Sequence, residues 1–253
     1  MLLAIDIGNT NIVLGAYDQE QLIASWRINT DPSRMPDEYA VLLDSLLGYA
    51  QRSLRDASAV VLSSVVPALT STFEELAGQY CKTTPIVVGP GIRTGIKILY
   101  ENPREVGADR IANAVATLEL YGGPAIVIDF GTATTFDAVT ANGEYLGGAI
   151  APGLIIAADA LFSHAARLYR VELKRPKMAI GRNTGVSVQA GLIFGYIGLV
   201  EGLIQRFQQE MGPAHVIATG GLAEVIAKES SLIEITNPLL TLDGLRLIYE
   251  MNR

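Results

Sequence analysis

Cysteine and histidine are scarce in this sequence. Its 253 residues include one cysteine, Cys81, and two histidines, His164 and His215. A single cysteine excludes an internal disulfide and a cysteine-based zinc site, and two histidines are too few for a histidine-ligated metal cluster. We therefore expect a protein of a reducing compartment, the cytoplasm.

Basic runs and long apolar runs are also missing. The chain has 19 basic and 26 acidic residues, a net charge of −7, so nucleic acid is not an expected partner. The apolar stretch 192–204 is short for a membrane span and contains Glu201, and the N-terminus lacks the basic region of a signal peptide. We expect no membrane anchor. A polyanion such as ATP would have to be bound locally, by backbone N–H groups and a metal ion.

Short aliphatic runs that alternate with helical patterns are present, and they predict an α/β fold with a mixed sheet. One helix is predicted over 37–51, with Pro36 at its start, and a long one over 183–211. The predicted strands lie near 2–7, 11–17, 59–64, 85–88, 125–130, 134–140 and 215–218.

An internal repeat divides the chain. Residues 5–11, IDIGNTN, align with 128–134, IDFGTAT, at a constant offset of 123, and a returning strand follows each copy. We therefore expect two related half-domains, 1–120 and 121–253, each with a mixed central sheet flanked by helices.

Asp6 lies near the end of an apolar strand, where a carboxylate is usually paired or bound to a cation. The turn after it could be a simple hairpin turn that uses Gly8 and Asn9. The alternative is a phosphate site: Gly8 lets the backbone approach a phosphate, Asn9, Thr10 and Asn11 add polar donors, and Asp6 holds Mg²⁺ directly or through water.

The second copy offers the same carboxylate, Asp129, and a turn richer in hydroxyl groups that includes Thr132. Two such turns facing each other would clamp one triphosphate. The Walker pattern of P-loop proteins is absent. Paired Asp-X-Gly hairpins in a duplicated chain resemble the actin, Hsp70 and sugar-kinase superfamily, which implies a duplicated actin-like (ribonuclease H-like) ATPase fold. In that superfamily a glycine pair lies beside adenosine, and Gly220 and Gly221 match it, although glycines there could simply end a strand.

The stretch Gly107-Ala108-Asp109-Arg110 opens a helical pattern, where an acidic residue is often only a helix cap. With Tyr100, Asn102 and the IDFGTATT stretch, however, it closely resembles the type III pantothenate kinase family. Residues 168–171 depart from the family, where a Leu-Pro pair is expected. Further matches occur in order along the chain, at 63–67 (SSVVP), 147–153 (GGAIAPG), 180–184 (IGRNT), Ser187, Gln189 and 242–245 (LDGL).

The resemblance implies an enzyme that transfers the γ-phosphate of ATP to pantothenate, the first step of coenzyme A synthesis. It implies that Asp109 is catalytic, and that Mg²⁺ accompanies ATP. Asp129 is expected to bind a monovalent cation, K⁺ or NH₄⁺. The residues expected to bind ATP are Asp6, Gly8, Asn9, Thr10, Asn11, Thr132, Gly220 and Gly221, and those expected to bind pantothenate are Tyr100, Gly107, Ala108, Asp109, Arg110 and Thr184.

Four glycines, Gly191, Gly195, Gly198 and Gly202, follow one face of the long predicted helix. Because glycine lowers helix stability, we expect another surface to pack closely there, either from this chain or from a second subunit. The resemblance favours a homodimer, with Thr184 near the pocket of the neighbouring subunit.

Three other functions remain open at this point. One is a kinase of the same fold that phosphorylates a sugar or another small alcohol. Another is a non-catalytic regulator that resembles the Bvg accessory factor proteins. The third is a filament-forming ATPase of the superfamily fold.

Overall fold

The computed structural model describes all 253 residues, which form two compact units. The first unit contains Met1–Tyr121 and Leu239–Arg253, and the second contains Gly122–Pro238. The expected half-domains, 1–120 and 121–253, differ from this division at the C-terminus, because the last helix of the chain packs with the first unit.

The first unit is built on a five-stranded mixed sheet with the order β3-β2-β1-β4-β5. β1 is antiparallel to β2 and parallel to β4. The strands of this sheet are β1 (Leu2–Ile7), β2 (Asn11–Asp18), β3 (Gln21–Asn29), β4 (Ala59–Ser64) and β5 (Ile86–Val87). The short strand β6 (Lys97–Ile98) also lies in this part of the chain but is not part of this sheet. The helices are α1 (Pro36–Tyr49), α2 (Pro67–Leu76), α3 (Ala108–Tyr121) and the C-terminal α7 (Leu240–Asn252).

Alternation along β1 divides the core of this unit. Leu3, Ile5 and Ile7 are buried against α1 and α2, whereas α3 and α7 pack against each other beside β1 and β4. The α3–α7 contact needs Gly244, because a Cβ there would overlap the backbone of Ala112. The predicted helix over 37–51 is confirmed as α1, which begins at Pro36.

The second unit repeats the arrangement. Its five strands pair in the order β11-β10-β7-β8-β9, with β7 antiparallel to β8 and parallel to β10. The strands are β7 (Ala125–Phe130), β8 (Ala133–Val139), β9 (Glu144–Pro152), β10 (His215–Thr219) and β11 (Ile235–Thr236). The helices are α4 (Leu154–His164), α5 (Thr184–Met211) and the short α6 (Ala223–Ala227). The predicted α/β class with mixed sheets is therefore confirmed.

Helix α5 is the longest element, with 28 residues, and it agrees with the prediction over 183–211. By length and composition alone it could cross a membrane. Its residues Ile193, Val200 and Ile204 are buried in the core of the second unit, which accounts for much of its apolar character. Its glycine face is open: apart from the neighbouring residues and backbone of α5 itself, a Cβ added at any of the four glycines would meet nothing within 4 Å.

Candidate functional site

The first repeat turn, residues 8–10, joins β1 to β2 at the carboxyl end of β1. The backbone N–H of Gly8 donates to the carbonyl of Asn11 at 3.0 Å. Thr30, just after β3, supports the turn twice: its hydroxyl donates to the carbonyl of Gly8 at 2.6 Å, and its backbone N–H donates to the carbonyl of Thr10 at 3.0 Å. The turn is thus fixed from within the protein, while Asn9 and Thr10 are exposed.

The carboxyl ends of β1 and β4 and the start of α3 meet at one edge of the first sheet. Asp6 on β1 is in register with Ser63 on β4, and the N–H of Val65 donates to the carbonyl of Ile7 at 3.0 Å. A Cβ on Gly107 would overlap the carboxylate of Asp109 and would lie 3.6 Å from Cγ1 of Val65. The structure therefore brings the Asp6 turn and the Gly107–Arg110 stretch to the same edge.

Asp109 lies in the first turn of α3, and its Oδ1 accepts the backbone N–H of Arg110 at 2.8 Å. Burial raises the pKa of Asp109, and the hydrogen bond and charge of Arg110 oppose that rise. The Arg110 side chain is itself buried. A carboxylate that is poorly solvated is a better hydrogen-bond acceptor and base than one in water.

The second repeat turn, residues 131–132, joins β7 to β8 and is one residue shorter than the first. The N–H of Gly131 donates to the carbonyl of Ala133 at 3.1 Å, whereas Gly8 reaches three residues ahead. The constant offset of 123 is therefore wrong within β8, where Ala133 takes the place of Asn11. The offset is restored in β9, because the next turn is longer. Thr132 is exposed at the tip.

Asp129 and the glycine pair lie at one edge of the second sheet. Thr219, at the end of β10, is in register with Asp129 on β7. Gly220 has a φ of 91°, and a Cβ there would lie 2.5 Å from Oδ1 of Asp129 and 2.7 Å from the backbone N of Phe130. Glycine is required at this position for both reasons.

Thr184 is placed elsewhere in the second unit. It is exposed at the start of α5, which Asn183 caps by accepting the N–H of Val186 at 2.9 Å. It lines a cavity of about 680 Å³ together with Leu161, Leu168 and Val188. That cavity contains neither Asp129 nor the glycine pair. Tyr100, in the first unit, is half-buried in the chain that follows β6.

The sequence reasoning missed Thr30, and it included Gly153 only in the 147–153 match, without assigning it a structural role. Both directly follow the third strand of their hairpin, and the offset of 123 relates them. A Cβ on Gly153 would overlap the carbonyl of Thr132 and lie 2.7 Å from that of Gly131. Extending the repeat through this strand would have found both residues.

Comparisons with known proteins give a consistent result. A sequence model described as type III pantothenate kinase matches residues 2–206. The chain is 56% identical over 253 residues to the type III pantothenate kinase of Moorella thermoacetica, with all of both chains covered. It is 55% identical over 254 residues to that of Geobacter sulfurreducens, again with complete coverage of both.

Solved structures agree on the fold. A Campylobacter jejuni protein, described as a candidate Baf family transcriptional activator, has a TM-score of 0.64 at 21% identity, covering 99% of this chain and 98% of that one. The inorganic polyphosphate/ATP-glucomannokinase of an Arthrobacter species has a TM-score of 0.50 at 15% identity, with 99% and 98% covered. These likenesses show the fold alone, and the expected duplicated actin-like fold is confirmed.

Proposed function

Because the chain belongs to the type III pantothenate kinase family, and is thus an ATP-dependent kinase that acts on the alcohol group of pantothenate, we propose how its residues divide that reaction. The observation that carries the proposal is the meeting of the Asp6 turn and Asp109 at one sheet edge. A phosphate-binding turn beside a poorly solvated carboxylate is what transfer from ATP to a hydroxyl group requires.

The first turn binds phosphate oxygens of ATP. Gly8 offers backbone without a side chain, and Asn9, Thr10 and Asn11 offer amide and hydroxyl donors. The Thr30 hydrogen bonds support this assignment because they hold the turn in one shape. In the second unit, the exposed Thr132 is assigned to the same ligand.

Mg²⁺ accompanies ATP, and Asp6 is its proposed protein ligand. No group of three or more His, Cys, Asp or Glu residues in the chain could hold a metal ion by itself. A single protein carboxylate such as that of Asp6 fits Mg²⁺, which is commonly held by one or two carboxylates together with substrate phosphates and water. The ion would neutralise charge on the phosphates. Asp129 is assigned to a monovalent cation, K⁺ or NH₄⁺.

Asp109 accepts a hydrogen bond from the primary hydroxyl of pantothenate and aligns it with the γ-phosphorus. It takes the hydroxyl proton as the new P–O bond forms and the bond from the γ-phosphorus to the leaving ADP breaks. Because phosphoryl transfer is usually loose, alignment contributes more than base strength. The raised pKa of Asp109 supports the assignment because it brings the carboxyl closer to the basicity of a proton acceptor.

Arg110 and Tyr100 recognise the carboxylate and amide groups of pantothenate, beside the backbone of Gly107 and Ala108. Thr184 is assigned to the same substrate. Gly220 and Gly221 lie beside adenosine, where a side chain would intrude. The position of Gly220 beside Asp129, at the sheet edge that carries the second turn, supports that assignment.

The active form is a homodimer, and the glycine face of α5 is its proposed contact. Nothing in this chain fills that face, and Ile155, Ile156 and Leu199 are exposed on α4 and α5. Replacing Gly198 by Leu should shift sedimentation from dimer to monomer, whereas Gly48→Leu, on the exposed side of α1, should not. A wild-type protein that sediments as a monomer at assay concentrations would refute the dimer.

The proposed compartment is the cytoplasm.

The reaction is tested by measuring ADP release from Mg-ATP and K⁺ with and without pantothenate, and by weighing the product by mass spectrometry. Pantothenate-dependent ADP with phosphopantothenate as product is the expected result. ADP release with another small alcohol but not with pantothenate would contradict it. ADP release without any acceptor would indicate an ATPase, and no ADP release would indicate a regulatory protein.

A further inference from the structure

The second phosphate turn rests directly on the start of helix α4. Gly153 precedes that helix, and its Cα is so close to the turn that a Cβ would overlap the carbonyl of Thr132. Because backbone touches backbone without an intervening side chain, a shift of the helix start moves the turn with it. Whatever fixes the start of α4 therefore also fixes Thr132.

Tyr196, on α5, reaches this junction from the core. It belongs to the same core cluster as Leu154, the first residue of α4, and the backbone N–H of Leu154 lies near enough to its hydroxyl to lower the pKa of Tyr196. The same hydroxyl is hydrogen-bonded to the hydroxyl of Thr134, two residues after Thr132 on β8. Tyr196 thus contacts both sides of the junction: it is hydrogen-bonded to the strand that leaves the turn and packs in the core with the helix start.

The environment of Tyr196 keeps that oxygen in place. Thr134 is 0% exposed and Tyr196 is 6% exposed, so water cannot readily replace either partner. The Tyr196 ring lies 6.3 Å from the ring of Phe130, the last residue of β7. Burial raises the pKa of Tyr196, so the group stays a hydroxyl near neutral pH and keeps its hydrogen bond to Thr134.

We propose that Tyr196 is a positioning residue that holds the Thr132 turn in its ATP-binding shape, through Thr134 on one side and the start of α4 on the other. The inference rests on the proposed role of Thr132 in binding ATP. It adds a residue that contacts no substrate and lies outside every motif of the sequence. Its loss should weaken nucleotide binding and leave the Asp109 and Arg110 region, in the other unit, unchanged.

The test is calorimetric binding of Mg²⁺ with a non-hydrolysable ATP analogue to the full-length protein. Tyr196→Phe keeps the ring and removes the hydroxyl, and it should weaken nucleotide binding about tenfold, the factor expected for one buried hydrogen bond. Thr134→Val should act alike. The double variant should be no weaker than the more affected single variant, because both remove the same contact. Thr134→Ser, which keeps a hydroxyl, should restore most of the affinity.

The control is Tyr145→Phe. Tyr145 is another fully buried tyrosine of this unit, and its hydroxyl donates to Asp137 at 2.5 Å. That variant should lower the unfolding temperature but keep nucleotide affinity within about twofold of wild type. An equal loss of affinity in Tyr145→Phe would mean that Tyr196 acts only through stability, which would overturn the proposal.

Three other outcomes are decisive. Nucleotide affinity within about twofold of wild type in Tyr196→Phe refutes the positioning role, whatever the catalytic rates are. Additive losses in the double variant refute it as well. A wild-type protein that binds nucleotide but does not phosphorylate pantothenate refutes the proposed function instead, and the binding comparison among the variants still decides the role of Tyr196. If Tyr196→Phe does not fold, Thr134→Val and Thr134→Ser carry the same comparison.

Discussion

The two repeat turns belong to similar hairpins, but one is held by hydrogen bonds that include a side chain and the other by direct backbone packing. After the third strand of the first hairpin, Thr30 uses its hydroxyl and backbone N–H to hold residues 8 and 10. At the related position in the second hairpin, Gly153 has no side chain, and its backbone lies directly against residues 131 and 132. A side-chain hydrogen bond tolerates small shifts, whereas backbone packed against backbone does not. Duplication conserved the position of the support and not its chemistry.

The two units also differ in what surrounds the turns. The first brings a second carboxylate, Asp109, to the sheet edge that carries Asp6. The second places Gly220, which has no side chain, directly beside Asp129. We infer that the first unit provides the chemistry of transfer and that the second provides a surface for the nucleotide.

The largest expected effect belongs to Asp109. Asp109→Asn keeps the shape of the side chain but removes the proposed proton acceptor, so turnover should fall roughly a hundred- to ten-thousand-fold while nucleotide still binds. Steady-state kinetics and nucleotide binding measure the two quantities. Glu119→Gln, an exposed carboxylate near the other end of α3, is the control and should behave as wild type. Near-normal turnover of Asp109→Asn would contradict the inference that the first unit provides the chemistry of transfer through this carboxylate.

The next largest effects are expected at Asp6 and Asp129, the related aspartates of the two turns, and the two substitutions should affect different ligands. Asp6→Asn should raise the KM for Mg-ATP about tenfold or more, because the proposed Mg²⁺ ligand is lost. Asp129→Asn should instead weaken activation by K⁺, with a smaller change in that KM. Titrating each variant with Mg-ATP and with K⁺ makes the comparison. Identical responses of the two variants would mean that the turns have the same role.

Gly153→Ala should destabilise the protein by about 1–3 kcal/mol, because its Cβ must displace the backbone of the second turn. Thermal and denaturant unfolding measure the change. Gly131→Ala is the matched variant, since its Cβ would lie 3.4 Å from the nearest atom, the carbonyl of Ala133. If the two variants were equally stable, the backbone of Gly153 would not support the second turn by direct contact.

Thr30→Val should cost less than Gly153→Ala. It removes the hydrogen bond to Gly8 but leaves the carbonyl in a partly exposed turn where water can replace it, so we expect about 1 kcal/mol and a severalfold rise in the KM for ATP. Thr30→Ser should restore both values. If Thr30→Val lowered the free energy of unfolding more than Gly153→Ala does, the side-chain support of the first turn would be the stronger of the two, contrary to this prediction.

The smallest effect concerns stability and pH. Burial raises the pKa of Asp109 in the folded protein above the ordinary value of 3.8, so the folded state holds its proton more tightly than the unfolded state. Stability is therefore lost as pH rises between 3.8 and the raised pKa, and it remains lower at neutral pH. Asp109→Asn should then have a higher unfolding temperature than wild type at pH near 7, and the difference should shrink in acid. The opposite trend would mean that Asp109 is stabilised as a carboxylate.

Local pattern predicted much of this protein. The period of apolar residues gave α1 and α5 within two residues at either end, because one buried face determines that spacing. The repeated pattern of an apolar strand, Asp-X-Gly, a turn and a returning strand located both repeat turns. The motifs that follow one another along the chain indicated the family before any fold was known. Element boundaries and motifs are local properties of the chain, so a sequence can carry them.

Long-range packing decided the rest. The return of α7 to the first unit depends on the contact between Gly244 and Ala112, residues far apart in sequence. The open glycine face of α5 became evident only when no part of the chain was found against it. Likewise, Tyr196 is an ordinary core residue by periodicity, and only the fold brings its hydroxyl to Thr134 and Leu154. The sequence by itself determined which residues form the turns and the Gly107–Arg110 stretch, while the tertiary structure decided what holds them, because a supporting contact joins distant residues that no local pattern relates.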